Sequence, residues 1–518
     1  MLFKITIWLC WLACCAHGYA LPVTRQQANQ QGAKKASRPQ ASDARLLREA
    51  AEAIERGNLE SAERAARNAV RANARSVAAH NMLGIVLSQR GKAREAEAAF
   101  AQALKLNPSY VTARVNLGNL YSETGRAKEA AIEFERALKV QPSDPLAHAG
   151  AGNAYAAQQE WDQAIAHLEQ ARAIQPANPS YTFALADILL KAGREEKTRA
   201  IISELDRAAQ KSPELLAPLA MILAQNGRYE EALALFEKAV GRGQRTFDAQ
   251  YGLGLVLYKL GRVREAERPL KIAADLRPDH ADAQFALGMV FASEDNDEDA
   301  VALFARAATL KPSFAASYFE IGKIYVKHRR YEDAVSAFTR ATIADSRAPI
   351  YQIALGDAYY SLGQFNRAQE AYMQAYALDP SSHNINYKLG RYNLKLNQYA
   401  EAEKYLKRET ELHPEYAESF ASLGELYLLS DRDAEAEGVL TRGLKLSPDH
   451  AGALFQMGRL RVRQQRYTDA TVAFKRVVEL DSSNAQVHYQ LFLIYRRAGN
   501  RELAAKELEI FQKMEQGK

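Results

Sequence analysis

Residues 111–144 read VTARVNLGNLYSETGRAKEAAIEFERALKVQPSD. Val115, Leu117, Leu120 and Tyr121 precede Gly125-Arg126, and Ala130, Phe134, Ala137 and Leu138 follow it. Apolar residues at i, i+3, i+4 and i+7 on both sides of a glycine break predict two antiparallel helices joined by a tight turn. Each has about 12–14 residues, or about 20 Å of helix. One such pair cannot bury its apolar face alone; stacking on the next pair does that.

The spacing recurs without insertion or deletion. Fourteen consecutive 34-residue segments begin at Asp43, Val77, Val111, Pro145 and so on to Ala485, and they fill 43–518. Position 8 is Gly84, Gly118, Gly152, Gly254, Gly288, Gly322, Gly356, Gly390, Gly424 and Gly458 in ten of them. Position 20 is alanine from Ala62 to Ala504, with Thr198 as the exception. Small residues here are expected where two helices cross closely, and overpacking would cost about 1–3 kcal/mol. Phe100, Phe134, Phe236, Phe304, Phe338, Tyr372 and Phe474 at position 24 are expected to fill the space left by the small ones. A proline at position 32, from Pro108 to Pro448 in eight segments, ends the second helix and presets the turn into the next unit.

This pattern resembles the tetratricopeptide repeat family over the whole of 43–518. The resemblance implies an all-α fold: an α-solenoid of about fourteen helix-turn-helix repeats forming a right-handed superhelix, with each first helix lining the concave face. It implies no particular partner, because one scaffold serves many functions. An unbroken array also carries the expectation that no separate catalytic domain is appended.

Bulk numbers agree. The chain is 47% hydrophobic and 25% charged, as folded chains are. Its net charge of +6 is spread over 518 residues with acids and bases interspersed, so a basic face for nucleic acid is not expected. The three cysteines, Cys10, Cys14 and Cys15, all lie in the first twenty residues, which leaves neither a disulfide framework nor a cysteine metal site. Lys4, the apolar run from Ile5 to Ala16 and Gly18-Tyr19-Ala20 resemble a secretory signal over 1–20, cleaved after Ala20. Trp11-Leu12-Ala13-Cys14 also resembles a lipoprotein box, which would make a lipid anchor at Cys14 the only membrane contact; an uncleaved anchor is the third alternative. Residues 21–42 lack apolar periodicity and read as a flexible, disordered tether.

Segments 5 and 6 break the rule. Position 8 becomes Ala186 and Ala220, Pro218 falls within the expected first helix, and segment 6 ends in Gly241-Arg242-Gly243-Gln244. A proline inside a helix disfavours it by about 3 kcal/mol. Sequence drift is one reading; a hinge at 205–247, between 43–204 and 248–518, is the other. Segment 1, poor in bulky residues, and segment 14, with Phe492 at position 8 and a charged last helix, read as caps. The oligomeric state stays open, with end-to-end association through Phe511 or Met514 as one route.

No catalytic, cofactor or metal set emerges from spacing. Gly252-Leu253-Gly254 falls inside a predicted helix with no preceding strand, so the G-x-G reads as packing. The ten histidines are scattered without H-E-x-x-H spacing, and His280 and His450 share the same inter-repeat turn. An enzyme is not expected.

By the resemblance, positions 2, 5, 9, 12 and 13 of each first helix face the groove. Position 5 holds Phe183, Tyr251, Phe285, Phe319, Tyr387, Phe455 and Tyr489, either as packing or as recognition anchors. Positions 9 and 13 hold Lys323 and Lys327, Arg391 and Lys395, then Arg459 and Arg463, with Arg497 beyond. Asp357 and Glu425 on the intervening segments either neutralise this ladder or leave it for an extended acidic partner. Asn81, Asn116, Asn119 and Asn153 offer side-chain amides that can pair with a peptide backbone. The family's Lys/Asn/Lys/Arg clamp for a terminal carboxylate is absent, which argues against binding of a chaperone tail. The expectation is an exported, non-catalytic scaffold, periplasmic or envelope-associated. It would hold protein or peptide partners in assembly or secretion; a tethering rod and a non-catalytic subunit of a glycan-handling or export machine are the alternatives.

Overall fold

The computed structural model describes residues 41–516. The signal-like segment, its three cysteines and nearly all of the expected tether lie outside the described residues. The first helix, Ala41–Glu55, takes in the last two positions assigned to the tether. Among the described residues there are twenty-eight α-helices, one short 3₁₀ turn and no strand.

Helix boundaries follow the 34-residue frame. First helices such as Val77–Gln89, Val111–Glu123 and Ala451–Arg463 occupy positions 1–13, and second helices such as Ala93–Leu106, Ala127–Val140 and Tyr467–Leu480 occupy positions 17–30. The turn between them has one geometry throughout. The Gly125 N–H donates to the Ser122 carbonyl at 3.1 Å and the Arg126 N–H to the Tyr121 carbonyl at 2.8 Å, a Schellman closure of the first helix. Position 15 is left-handed in all fourteen segments, with φ from 56° at Asp431 to 79° at Gly227. Glycine takes this conformation at no steric cost, but Gln159, Asp295, Arg329, Asn397, Asp431 and Gln465 adopt it as well.

The expected size complementarity is present. A Cβ added to Gly84 would stand 2.5 Å from the Phe100 ring, one on Gly118 2.8 Å from Phe134, and one on Gly390 2.6 Å from Leu406. The position-20 alanines from Ala62 to Ala470 are fully buried. Gly252 and Gly254 make room for Phe236 and Leu270, so both glycines of the G-x-G serve packing. His280 and His450 cap helices: each Nδ1 accepts the backbone N–H three residues on, at 3.2 and 3.0 Å.

Pro218 does not interrupt a helix. A 3₁₀ turn at Pro213–Leu215 delays the α-helix to Leu216–Gln225, which puts Pro218 in the first turn, where no helical N–H bond is required. Among the described residues, the proline that does sit inside a helix is Pro269, buried in Val263–Leu276.

The chain forms two compact units that divide between Pro278 and Asp279. The expected hinge at 205–247 lies inside the first unit. Within each unit the second helices, except the last, pack between their own partner and the next first helix. Several neighbouring first helices also touch, as Ala41–Glu55 touches Val77–Gln89 and Ala417–Leu429 touches Ala451–Arg463, whereas second helices approach one another less closely. Where they touch, first helices form the tighter, inner layer of the stack.

Candidate functional site

The inner layer presents side chains that the repeat does not require for packing. In segments 2 to 4 the Asn116 amide donates to Asn81 Oδ1 at 3.0 Å. Asn81 is buried and Asn116 half-buried, so this pair satisfies itself between adjacent helices, while Asn119 and Asn153 stay exposed. Of the four asparagines, only the last two retain free amide geometry at the surface.

The position-5 aromatics are mostly packing. Tyr251 and Phe285 are 4% and 2% exposed, which removes them from any surface a partner could reach. Phe285 lies 5.2 Å from Phe304 and 4.9 Å from Phe314, ring centre to ring centre. Phe319 meets Phe338 at 5.7 Å and Tyr351 at 5.4 Å, and Phe455 meets Phe474 at 5.7 Å. Each of these rings leans on the position-24 aromatic of its own segment, a pairing set by the two-helix geometry. Tyr387 is half-buried with its ring edge-on to Tyr416 at 5.3 Å, and Tyr489 remains the most open of the series at 36% exposure.

Most of the basic ladder is neutralised from within the chain. Arg391 donates to Glu425 at 2.7 Å, Lys327 lies 2.6 Å from Asp297 and 2.8 Å from Asp295, and Lys323 lies 2.6 Å from Glu320. Arg463 holds Asp431 at 2.6 Å and also donates to the Leu428 carbonyl at 2.7 Å. The pairing raises the affinity of Lys327 and Arg463 for their protons, chiefly through hydrogen bonds to Asp295 and Asp431. Lys388, which the sequence reading passed over, bridges to Asp357 at 2.9 Å. Its signal was a lysine one helical turn before Arg391 and Tyr392, opposite the acid of the preceding segment.

Three cations of the ladder are held differently. The Lys395 ammonium lies 4.3 Å from the Phe365 ring centre and 4.9 Å from that of Tyr360. The Arg497 guanidinium lies 5.0 Å from the Tyr467 ring centre, and Arg459 donates to the neutral Gln456 amide oxygen at 2.9 Å. Ring faces and an amide orient these groups without cancelling their charge. Lys395 and Arg497 are exposed and Arg459 half-buried.

Among the described residues no helix is long and apolar enough to cross a membrane. No curated protein shows significant similarity to the chain. Solved structures with related helical stacks include "Crystal structure of APC/C hetero-tetramer Cut9-Hcn1", 15% identical over 88% of this chain and 96% of that one, with a TM-score of 0.42. Another is "Structure of Naa15/Naa10 bound to HypK-THB", 15% identical over 92% of this chain and 94% of that one, with a TM-score of 0.30. Likeness at that level carries no argument about partners. The family evidence is of another order: one Tetratricopeptide repeat description matches 47–91, 81–145, 218–270, 251–313, 319–383, 387–451 and 455–514, and a second matches 155–222. With the packing of its helix pairs and these matches over most of its length, the chain belongs to the tetratricopeptide repeat family.

Proposed function

We propose that the chain is a non-catalytic interaction scaffold whose segments 11 to 14 hold an extended, acidic stretch of a partner protein against their first helices. The observation that carries this reading is the set of uncompensated cations Lys395, Arg459 and Arg497, left over where Lys327, Arg391 and Arg463 are internally paired. Exposed Tyr489 is the further contact group of this reading; the exposed amides of Asn119 and Asn153, in the first unit, form a separate candidate surface. The signal-like residues 1–20 support placing it in an exported compartment, in envelope assembly or secretion.

The test uses a labelled Glu/Asp-rich peptide and a Lys/Arg-rich control, titrated against the full chain by fluorescence anisotropy. The acidic peptide should bind with an affinity that falls as salt rises, since exposed charges are screened beyond about 8 Å at physiological ionic strength. Changing Lys395, Arg459 and Arg497 together to Ala should weaken it roughly tenfold. Salt-insensitive binding, or equal binding by the triple variant, defeats the proposal. The internal pairing of the ladder favours a second reading, a tethering rod that works through its ends. A rod would tolerate the triple change in every assembly assay.

A further inference from the structure

The strongest unexplained feature lies in segment 11, where the first helix begins two residues late, at Ile385. The displaced turn brings His383 to two groups more than twenty residues further along the chain, Glu409 and His413. One ligand atom from each lies within 4.8 Å of the others. Glu409 and His413 are one helical turn apart at the end of Tyr399–Leu412, and His383 reaches them from the preceding connection.

Glu409 is the anomaly. Its carboxylate is fully buried, and among the described residues no Lys, Arg or His nitrogen lies within ion-pairing distance of it. Its described partners are the backbone N–H groups of Asn384 at 3.2 Å and Tyr387 at 3.3 Å, both at the long end of the hydrogen-bond range. A buried carboxylate without a counter-charge is costly. The same turn carries two more uncompensated oxygens: Asn384 Oδ1 and Asn386 Oδ1 are buried with no hydrogen-bond partner, and Asn386 is fully enclosed. Asn384 itself is held left-handed at φ 70°.

His413 is already arranged as a ligand. Its Nε2 lies 3.2 Å from the Ser381 carbonyl oxygen, which can only accept, so Nε2 carries the proton and the lone pair of the neutral ring is on Nδ1. An imidazole fixed through its far nitrogen by a backbone carbonyl is the usual support of a metal-binding histidine. The His383 ring stands edge-on to it at 4.8 Å and to Tyr416 at 5.2 Å.

We propose that His383, Glu409 and His413 form a binding site for a divalent transition metal, Zn²⁺ by ligand type, with a fourth position open to water or to Asn384 Oδ1. Two imidazoles and one carboxylate suit zinc and disfavour Mg²⁺ and Ca²⁺, which require mostly oxygen ligands. Tetrahedral zinc with bonds of about 2.0–2.1 Å needs its ligand atoms about 3.3 Å apart. The trio must therefore close by rotation of His383, its exposed member. The ion would supply the charge Glu409 lacks and tie the start of Ile385–Lys395 to the end of Tyr399–Leu412.

The test is calorimetric titration of ZnCl₂ and, separately, MgCl₂ into the EDTA-treated full chain with Cys10, Cys14 and Cys15 changed to Ser, so that thiolates do not compete. One equivalent of Zn²⁺ should bind with micromolar or tighter affinity and Mg²⁺ should not bind. His383→Ala and His413→Ala should each weaken zinc at least tenfold. Hydrogen exchange should slow on zinc addition in peptides covering 379–395 and 405–416. The exposed position of His383 keeps its variant folded. Absence of saturable zinc binding, or binding that His383→Ala leaves unchanged, overturns the assignment.

Discussion

Replacing Gly458 by Ala tests whether ring packing, rather than helix chemistry, sets the glycines of position 8. A Cβ there would stand 2.5 Å from Phe474 Cε1 and 2.8 Å from both Cδ1 and Cζ. The Phe474 ring is fully buried and cannot swing away, since Phe455 lies 5.7 Å from it. Overpacking of this kind costs about 1–3 kcal/mol. Against that, alanine in a helix interior is favoured over glycine by about 1 kcal/mol. Gly438, inside Asp433–Leu446, supplies the control because a Cβ added there meets nothing within 4 Å. Gly438→Ala should therefore stabilise by about 1 kcal/mol, whereas Gly458→Ala should lie between neutral and about 2 kcal/mol destabilising. The propensity gain is common to both, so their difference of about 1–3 kcal/mol isolates the ring contact. Phe474→Ala alone should cost about 3–5 kcal/mol, and adding Gly458→Ala should recover stability rather than lose more. Segment 1 already carries that small pair, Ala50 and Ala66. Because repeat arrays depart from two-state unfolding, the assay is hydrogen exchange of peptides from 451–480 together with urea midpoints. If Gly458→Ala stabilises as much as Gly438→Ala, the packing account of position 8 is refuted.

The left-handed turn position gives a prediction of opposite sign. Arg329→Gly and Gln465→Gly should each stabilise by about 1 kcal/mol by relieving a conformation that costs a side chain about 1–2 kcal/mol, and Gly261→Ala should destabilise comparably; thermal melts check both, and equal signs would contradict the geometry. Acid stability should follow Glu63 and Glu403. Burial pushes the Glu63 carboxyl up, but hydrogen bonds from Arg67, Lys92 and Arg90 outweigh it and hold the pKa at about 2 against an ordinary 4.5. Hydrogen bonding from Arg432, helped by Lys407 and opposed by burial, does the same for Glu403 at about 2. Both folded values are depressed, so their stabilisation is complete above about pH 4.5 and is lost as pH falls toward 2. Glu63→Gln and Glu403→Gln should flatten that acid limb, and an unaltered limb counts against the assignment. For the hinge proposed at 205–247, limited proteolysis should cut there first, near the left-handed Gly243; cutting elsewhere with this stretch intact rejects it.

The fold was legible because its rule is local. Thirty-four-residue spacing and apolar periodicity place helix starts at Val77, Val111 and Ala451 to the residue. In segment 6 the frame places Pro218 inside a helix, but the chain is free to delay that helix to Leu216 and leave Pro218 in the first turn. Pro269 sits at an ordinary second-helix site of the frame, where the spacing gives no sign of a break. The fasteners between segments were legible in principle but at an unfamiliar separation. Glu97 reaches Arg126 at 2.9 Å and Glu403 reaches Arg432 at 2.6 Å, each from position 21 to position 16 of the following segment.

The site was less legible, and the reason is electrostatic. Sequence can place Arg391 and Glu425 at equivalent positions of adjacent helices, but either pairing or a partner's carboxylate satisfies Arg391 equally well until the distance of 2.7 Å is known. Once the internal pairs are removed, the candidates shrink from a continuous ladder to Lys395, Arg459 and Arg497, each oriented by a neutral group. A cation stacked on Phe365 or Tyr467 keeps its field and has lost part of its rotational freedom before any partner arrives. Binding an acidic chain would then cost less side-chain entropy than it would for free lysines or arginines. Glu409 shows the converse. Its charge is enclosed and uncompensated, and the histidines that could complete it stand four residues away and twenty-six residues away in the sequence. A search for the spacing of one contiguous motif passes over such a set, whereas the buried charge, once located, identifies what it lacks.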